Sequence, residues 1–329
     1  MKNPISRQTP LTALATLVTI VTVCFIRYAQ RPFDNEIGCA SYKAPFAEML
    51  STFESAYPTW SIAIAAVLTI LAGAILGRMC NRLRLYPAQC FMPMPLYAIV
   101  ACGIFISAEP MTAAFVSLLT VTAFVYMSLG YLRGEDLSSM LYAGLAIGAI
   151  VMLSAPVGAA TVAMAVIAML LFTLSLRESL TLTLSILFVP AASCYISWIA
   201  GGEFLQPLRQ LYEALITPSD IPVFGYDAVG ALIVAGLSAF AAICSSVLFI
   251  VNRFAGAVKP RITLIYTILS LLISTAMCAI PSATPAVLAV AAVPAATVMP
   301  VVFIYSGRRA SAVLYVSMIV SLIIHLFMT

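Results

Sequence analysis

Charge is the first scarcity. Only 9% of the 329 residues are Asp, Glu, Lys or Arg, against 63% hydrophobic residues and a mean hydropathy of +1.09. Soluble globular domains carry about a quarter charged residues, so a soluble enzyme is excluded. Histidine occurs once, as His325, and the eight cysteines contain no Cys-x-x-Cys spacing, which removes the usual ligand sets of a zinc or haem site. Seven of those cysteines lie in apolar runs or at their ends and only Cys39 stands clear of them, so no disulfide framework is expected. A G-x-x-x-x-G-K-S/T loop is also missing, which excludes an ATPase of the P-loop type. A Ser-His-Asp triad would have to use His325, and no acidic residue lies near it in sequence.

What is present is apolar sequence in blocks. Runs near 20 residues recur from Pro10 to the C-terminus, each long enough to cross the roughly 30 Å hydrocarbon core as a helix. They are solid blocks without the alternation of barrel strands, so the fold class expected is an all-α polytopic transmembrane bundle. About eleven spans are expected, near 10–28, 59–77, 91–108, 111–131, 138–155, 157–175, 180–200, 228–251, 262–280, 284–304 and 311–328. Together they form one integral membrane domain over residues 1–329. The first run follows Lys2 and Arg7 and is read as an uncleaved span, because no A-x-A-like site follows it.

The few charges fix an orientation. With a cytoplasmic N-terminus, the inner side collects twelve of the sixteen basic residues, in clusters such as Arg78, Arg82 and Arg84 or Arg308 and Arg309, with only three acids. The outer side then holds nine acids and four bases. Such a split follows the positive-inside rule. The expected address is the inner membrane of a Gram-negative-type cell. The basic balance therefore speaks of orientation in a lipid bilayer and not of nucleic acid.

Two connections are long, both on the outer side, at residues 30–58 and 201–227. Each contains an amphipathic helix pattern. In the first, Phe46, Met49, Leu50, Phe53 and Tyr57 form a stripe opposite Glu48, Ser51, Glu54 and Ser55, and Pro45 suits the first turn. In the second, Phe204, Leu205, Leu208, Leu211, Tyr212, Leu215 and Ile216 oppose Gln206, Arg209, Gln210 and Glu213. Neither is long enough to span. Such interfacial helices either seal the end of a bundle or roof a cavity opening to the outer leaflet.

Ahead of the first of them runs Arg31-Pro32-Phe33-Asp34-Asn35-Glu36. In an extended segment Asp34 and Glu36, at i and i+2, share a face. That geometry suits a divalent cation or a general base beside a phosphate, although an ordinary solvated loop reads the same way. Arg31 and Lys43 are placed to hold an anionic head group. No resident cofactor is expected.

A cytoplasmic N-terminus, acidic residues directly after the first span, an interfacial helix in the same outer loop and a second helical outer loop after the seventh span resemble the GT-C membrane glycosyltransferases. The resemblance implies transfer of a sugar from a polyprenyl-phosphate carrier on the outer face. It implies Asp34 or Glu36 as the catalytic base and a basic residue such as Arg209 on the carrier phosphate. Over roughly residues 60–200, and above all at Leu171-Phe172-Thr173-Leu174-Ser175-Leu176-Arg177-Glu178-Ser179-Leu180, the texture resembles a family of Bacteroidetes polytopic inner-membrane proteins with no established activity.

The competing reading is non-enzymatic: a carrier for a neutral or lipidic substrate, or an assembly partner in envelope biogenesis. Proton-coupled transport lacks its carboxylates, because the spans are almost free of charge. Pro190, Pro294 and Pro300 are read as ordinary kinks, Ser245-Ser246 and Ser274-Thr275 as helix-packing residues, and Ser175 as the cap of the seventh span. An impermeant thiol reagent applied from the cell exterior should tag cysteines introduced beside Asp34 and spare those introduced beside Arg82 or Arg308. The opposite pattern would invert the whole topology.

Overall fold

The computed structural model describes residues 9–30, 44–87, 89–105, 110–134, 137–218, 228–251 and 258–328. Among them the elements are α1 (Pro10–Ala29), α2 (Pro45–Ala56), α3 (Pro58–Arg82), α4 (Pro93–Phe105), α5 (Pro110–Arg133), α6 (Leu137–Leu153) and α7 (Ala155–Leu171). They continue with α8 (Leu176–Ile199), α9 (Gln206–Ile216), α10 (Ala228–Val251), α11 (Val258–Met277), α12 (Ala286–Val298), α13 (Pro300–Tyr305) and α14 (Arg308–Met328). No strand occurs among the described residues. Proline opens α1 to α5 and α13. Its missing N–H is no loss at a first helical position, where that donor has no intrahelical partner, and its φ is already helical.

Eight helices are long and apolar enough to cross a membrane: α1, α3, α5, α8, α10, α11, the pair α12 and α13 taken together, and α14. Three shorter apolar helices, α4, α6 and α7, lie where three more apolar runs stand in the sequence. The chain is a multi-pass membrane bundle, and α2 and α9 are the two short helices expected in the long connections.

One span forms the axis. Nearly all of Ala286–Phe303 is buried, and α12 packs on α3, α4, α5, α7, α10 and α11. The helix runs unbroken past Pro294, as α8 does past Pro190, so neither proline marks a discontinuous helix. Pro300 does not. The helix stops at Met299 and restarts at Pro300, which has no N–H to give to the Ala296 carbonyl. In an apolar interior the loosened backbone needs side-chain partners. Ser245 of α10, fully buried, donates from Oγ to the Met299 carbonyl (3.0 Å) and accepts from the Val302 N–H (3.2 Å). Tyr86 Oη donates to the Thr297 carbonyl at 2.5 Å. Ser245 is therefore more than the packing residue expected. Ser246, Ser274 and Thr275 do bond within their own helices, to Ala242, Leu271 and again Leu271.

The helix ends sort by composition. At the C-terminal end of α5, Lys259 Nζ donates to the Leu132 carbonyl (3.2 Å) and lies 5.7 Å from the centre of the Tyr131 ring. Tyr131 stacks on Phe172 at 4.4 Å, and Phe172 meets Tyr266 at 5.1 Å. These contacts gather the start of α11 and the end of α7 beside the end of α5. The turn out of α7 is tight: Thr173 takes a positive φ of 48°, and Leu174 N–H donates to the Met169 carbonyl. Ser175 then caps α8 as expected, in a reciprocal box whose Glu178 carboxylate accepts from the Ser175 N–H (2.7 Å). At the N-terminal end of α5, some 36 Å away for 24 residues at 1.5 Å each, lies α2, joined to α9.

The tightest seam is α6 on α8. Gly144 and Gly148, four apart on α6, face α8 so closely that a Cβ on either would come within 2.7 Å of a backbone carbonyl, of Leu182 and of Ile186 respectively. This small-x-x-x-small pattern lets two backbones approach where lipid offers no hydrophobic drive for pairing. Gly148→Ile should therefore push α8 away and destabilise the bundle by about 1–3 kcal/mol. Thermal unfolding in detergent would show this as a lowered Tm, whereas the same change at Gly236, whose surroundings are open, should not move it.

Candidate functional site

The end of the bundle that carries α2 and α9 is built from two helices attached along one edge. At about 100° per residue, an α-helix can present three sectors. In α2, Ala47 is buried and Leu50, Ser51 and Glu54 are half-buried on the protein side. Phe46 and Met49 fall in a second, exposed sector, and Glu48, Thr52 and Ser55 in a third. The two-faced pattern expected from the sequence put Ser51 and Glu54 opposite the apolar stripe. The structure corrects this by turning both towards the bundle.

The reason lies in the neighbouring helix. Glu54 Oε1 accepts from the Met111 N–H at 2.9 Å, and the Thr112 N–H also bonds this carboxyl, so Glu54 caps the first turn of α5. Pro110 opens that helix, and its first N–H groups need an acceptor from elsewhere. Burial pushes the Glu54 carboxyl up to about 7, against the two N–H groups, which pull it down. Sequence reading missed this role. The available signal was an acid on a short helix coupled to a proline-opened helix without a described side-chain cap.

The helix α9 shows the same division. Pro207 is buried and Gln210, Leu211 and Ala214 are half-buried against the protein, where α7 and α8 lie. Leu208, Tyr212, Leu215 and Ile216 form an exposed apolar sector, and Gln206, Arg209 and Glu213 an exposed polar one. Protein on one side, with an apolar face and a polar face on the others, suits a helix at a boundary between apolar and aqueous surroundings. The aromatic neighbours Tyr195 and Trp198, 6.0 Å apart and both exposed near the end of α8, fit the same level of the bilayer.

Of the residues expected to carry chemistry, Arg209 is the one the structure describes. It pairs with Glu203, Nη1 to Oε2 at 2.9 Å, with both side chains about 70% exposed. Asp34, Glu36, Arg31 and Lys43 lie outside the described residues. Among the described residues no cluster of three His, Cys, Asp or Glu side chains exists for a metal.

Inside the bundle, a small cavity sits beside Pro294 of α12, lined also by Thr120, Phe124, Thr161, Tyr266 and Ser270 among others. The space open to the centre of a water molecule is about 20 Å³, room for one water and not for an organic substrate. Compared with protein-family models, curated proteins and solved structures, the chain matches none.

Exposed ion pairs contribute little to stability because water screens them. Arg209→Ala should leave thermal unfolding unchanged within about half a kcal/mol. A larger loss would mean that Arg209 holds α9 in place, so that its effect on any activity would no longer report on a ligand.

Proposed function

We propose that this protein acts on a lipid-anchored substrate at the end of the bundle covered by α2 and α9, and that its reaction is GT-C-like transfer of a sugar from a polyprenyl-phosphate carrier. In this reading the arginine-rich ends face the cytosol, and the α2 and α9 end faces the outer side of a bacterial inner membrane. The observation that supports it is the meeting of two interfacial helices at one end, each with one sector on the protein, one apolar and one polar. A substrate with a long apolar tail and a charged head needs such a level, where both environments are met within one helix diameter.

The roles follow from chemistry. Asp34 or Glu36 takes the proton of an acceptor hydroxyl as that oxygen attacks the sugar carbon, and the carrier phosphate leaves with the bonding electrons. Positive charge at Arg209, with Arg31 and Lys43, stabilises the departing phosphate. The exposed Glu203 partner is exchangeable, so Arg209 is available to an incoming phosphate. A lineage among the Bacteroidetes polytopic proteins belongs to the same proposal and is carried by the segment at residues 171–180.

A second reading, a carrier for a neutral or lipidic substrate, is favoured by one observation: the most buried span is broken at Met299 and Pro300. Interrupted helices whose backbone is satisfied by neighbours are a feature of carrier substrate sites. The two readings part on the acidic pair. Asp34→Asn with Glu36→Gln should abolish transfer of sugar to acceptor in membranes while the protein accumulates normally. Unchanged lipid-linked glycan at normal abundance would reject sugar transfer and leave the carrier.

A further inference from the structure

Hydroxyl groups gather at one place inside the bundle. Thr120 of α5, Thr161 of α7, and Tyr266 and Ser270 of α11 all line the cavity beside Pro294 of α12. Each stands near the middle of its helix, so the site lies at mid-depth, away from both polar ends. None of the four residues is more than 5% exposed. Tyr266 and Ser270 are one turn apart on α11 and so share a face. The rest of the wall is apolar, with Phe124, Ile147 and Met164 among it.

The four hydroxyls are not equally provided for. Thr120 donates to the Val116 carbonyl (2.8 Å) and Thr161 to the Gly158 carbonyl (2.9 Å), as threonines inside helices commonly do. Both oxygens keep lone pairs that can accept. Tyr266 Oη reaches the Met127 sulfur at 4.0 Å, a weak and distant acceptor. Ser270 Oγ has no hydrogen-bond partner among the described residues, not even Tyr266. Pro294 adds a fifth polar group. Lacking an N–H, it leaves the Val290 carbonyl, one turn back on α12, without its usual helical donor. An unpaired hydroxyl in apolar surroundings is costly, and buried polar groups in folded proteins nearly always find a partner.

We propose that this cavity is a built site for one water molecule, which joins α11 to α12 at the middle of the bundle. Size and chemistry agree on that ligand. The space of about 20 Å³ admits a single water, and an apolar occupant would leave Ser270 unpaired. Water can accept from Ser270 and Tyr266 while donating to the Val290 carbonyl and to a threonine oxygen, which meets the two to four partners a buried water needs. No carboxylate, lysine, arginine or histidine is among the lining residues. Nothing there balances the charge of an ion, so the ligand is neutral. The central span is then mended twice: by the side chains of Ser245 and Tyr86 around Pro300, and through solvent at Pro294. This inference concerns the interior of the bundle and stands or falls independently of sugar transfer.

A crystal structure of the full chain grown from lipid, at a resolution that shows ordered water, tests it directly. It should contain one isolated density peak within hydrogen-bond distance of both Ser270 Oγ and Tyr266 Oη. No peak there, or density longer than a single atom, overturns the proposal. Stability supplies a second readout whose sign separates a hydrated site from a dry one. Ser270→Ala takes a partner from the water and should lower the unfolding temperature in detergent by a few degrees. In a dry cavity the same change only removes an unpaired hydroxyl, so a temperature unchanged or raised overturns the proposal too. Ser128→Ala is the comparison. Its hydroxyl is likewise buried and unpaired but does not line the cavity. Its unfolding temperature should not fall, and an equal fall in both variants would remove the water as the cause.

Discussion

In hydrocarbon, every backbone N–H and C=O must find its partner inside the protein, and the rest of this structure is arranged around that demand. It leaves helices as the regular structure of the described residues, and it makes the break in the central span the most exacting position in the bundle. Ser245 and Tyr86 answer it from two different elements, α10 and the turn after α3. The axis thus depends on side chains that come from roughly fifty and two hundred residues away in sequence.

Close approach of backbones is the second consequence. Lipid rewards helix pairing only through packing and polar contacts, so α6 and α8 meet where Gly144 and Gly148 remove the Cβ atoms between them. At the arginine-rich end the devices differ. There Tyr131, Phe172 and Tyr266 make a continuous aromatic contact, topped by Lys259, and the Ser175 and Glu178 box closes the turn into α8. Each end of the bundle is finished by polar groups that pair locally, and the middle is left to hydroxyls and small residues.

The two short helices α2 and α9 show how one helix can present three sectors. A strictly amphipathic helix divides into two faces, and reading α2 that way assigns Glu54 to water. Attachment along one edge adds a third sector, and Glu54 falls in it because the first turn of α5 supplies two N–H groups there. The residue's raised proton affinity follows from burial. The same edge-on geometry in α9 leaves Arg209 and Glu203 in solvent, where their pairing is weak and exchangeable.

Hydropathy and charge alone determined the all-helical bundle, the order of its apolar helices, the existence of α2 and α9, the cap at Ser175, and a sorting of arginines from acids that bears on orientation. These are properties of local composition and period, and a single strand of sequence carries them. Tertiary structure decided that Pro300 breaks its helix while Pro190 and Pro294 do not, that Ser245 and Tyr86 mend the break, and that Glu54 points inward. Each of those depends on which group stands opposite in space. A proline does not announce whether a neighbour will satisfy the backbone it disturbs, and an acid does not announce whether a helix N-terminus lies within reach of it.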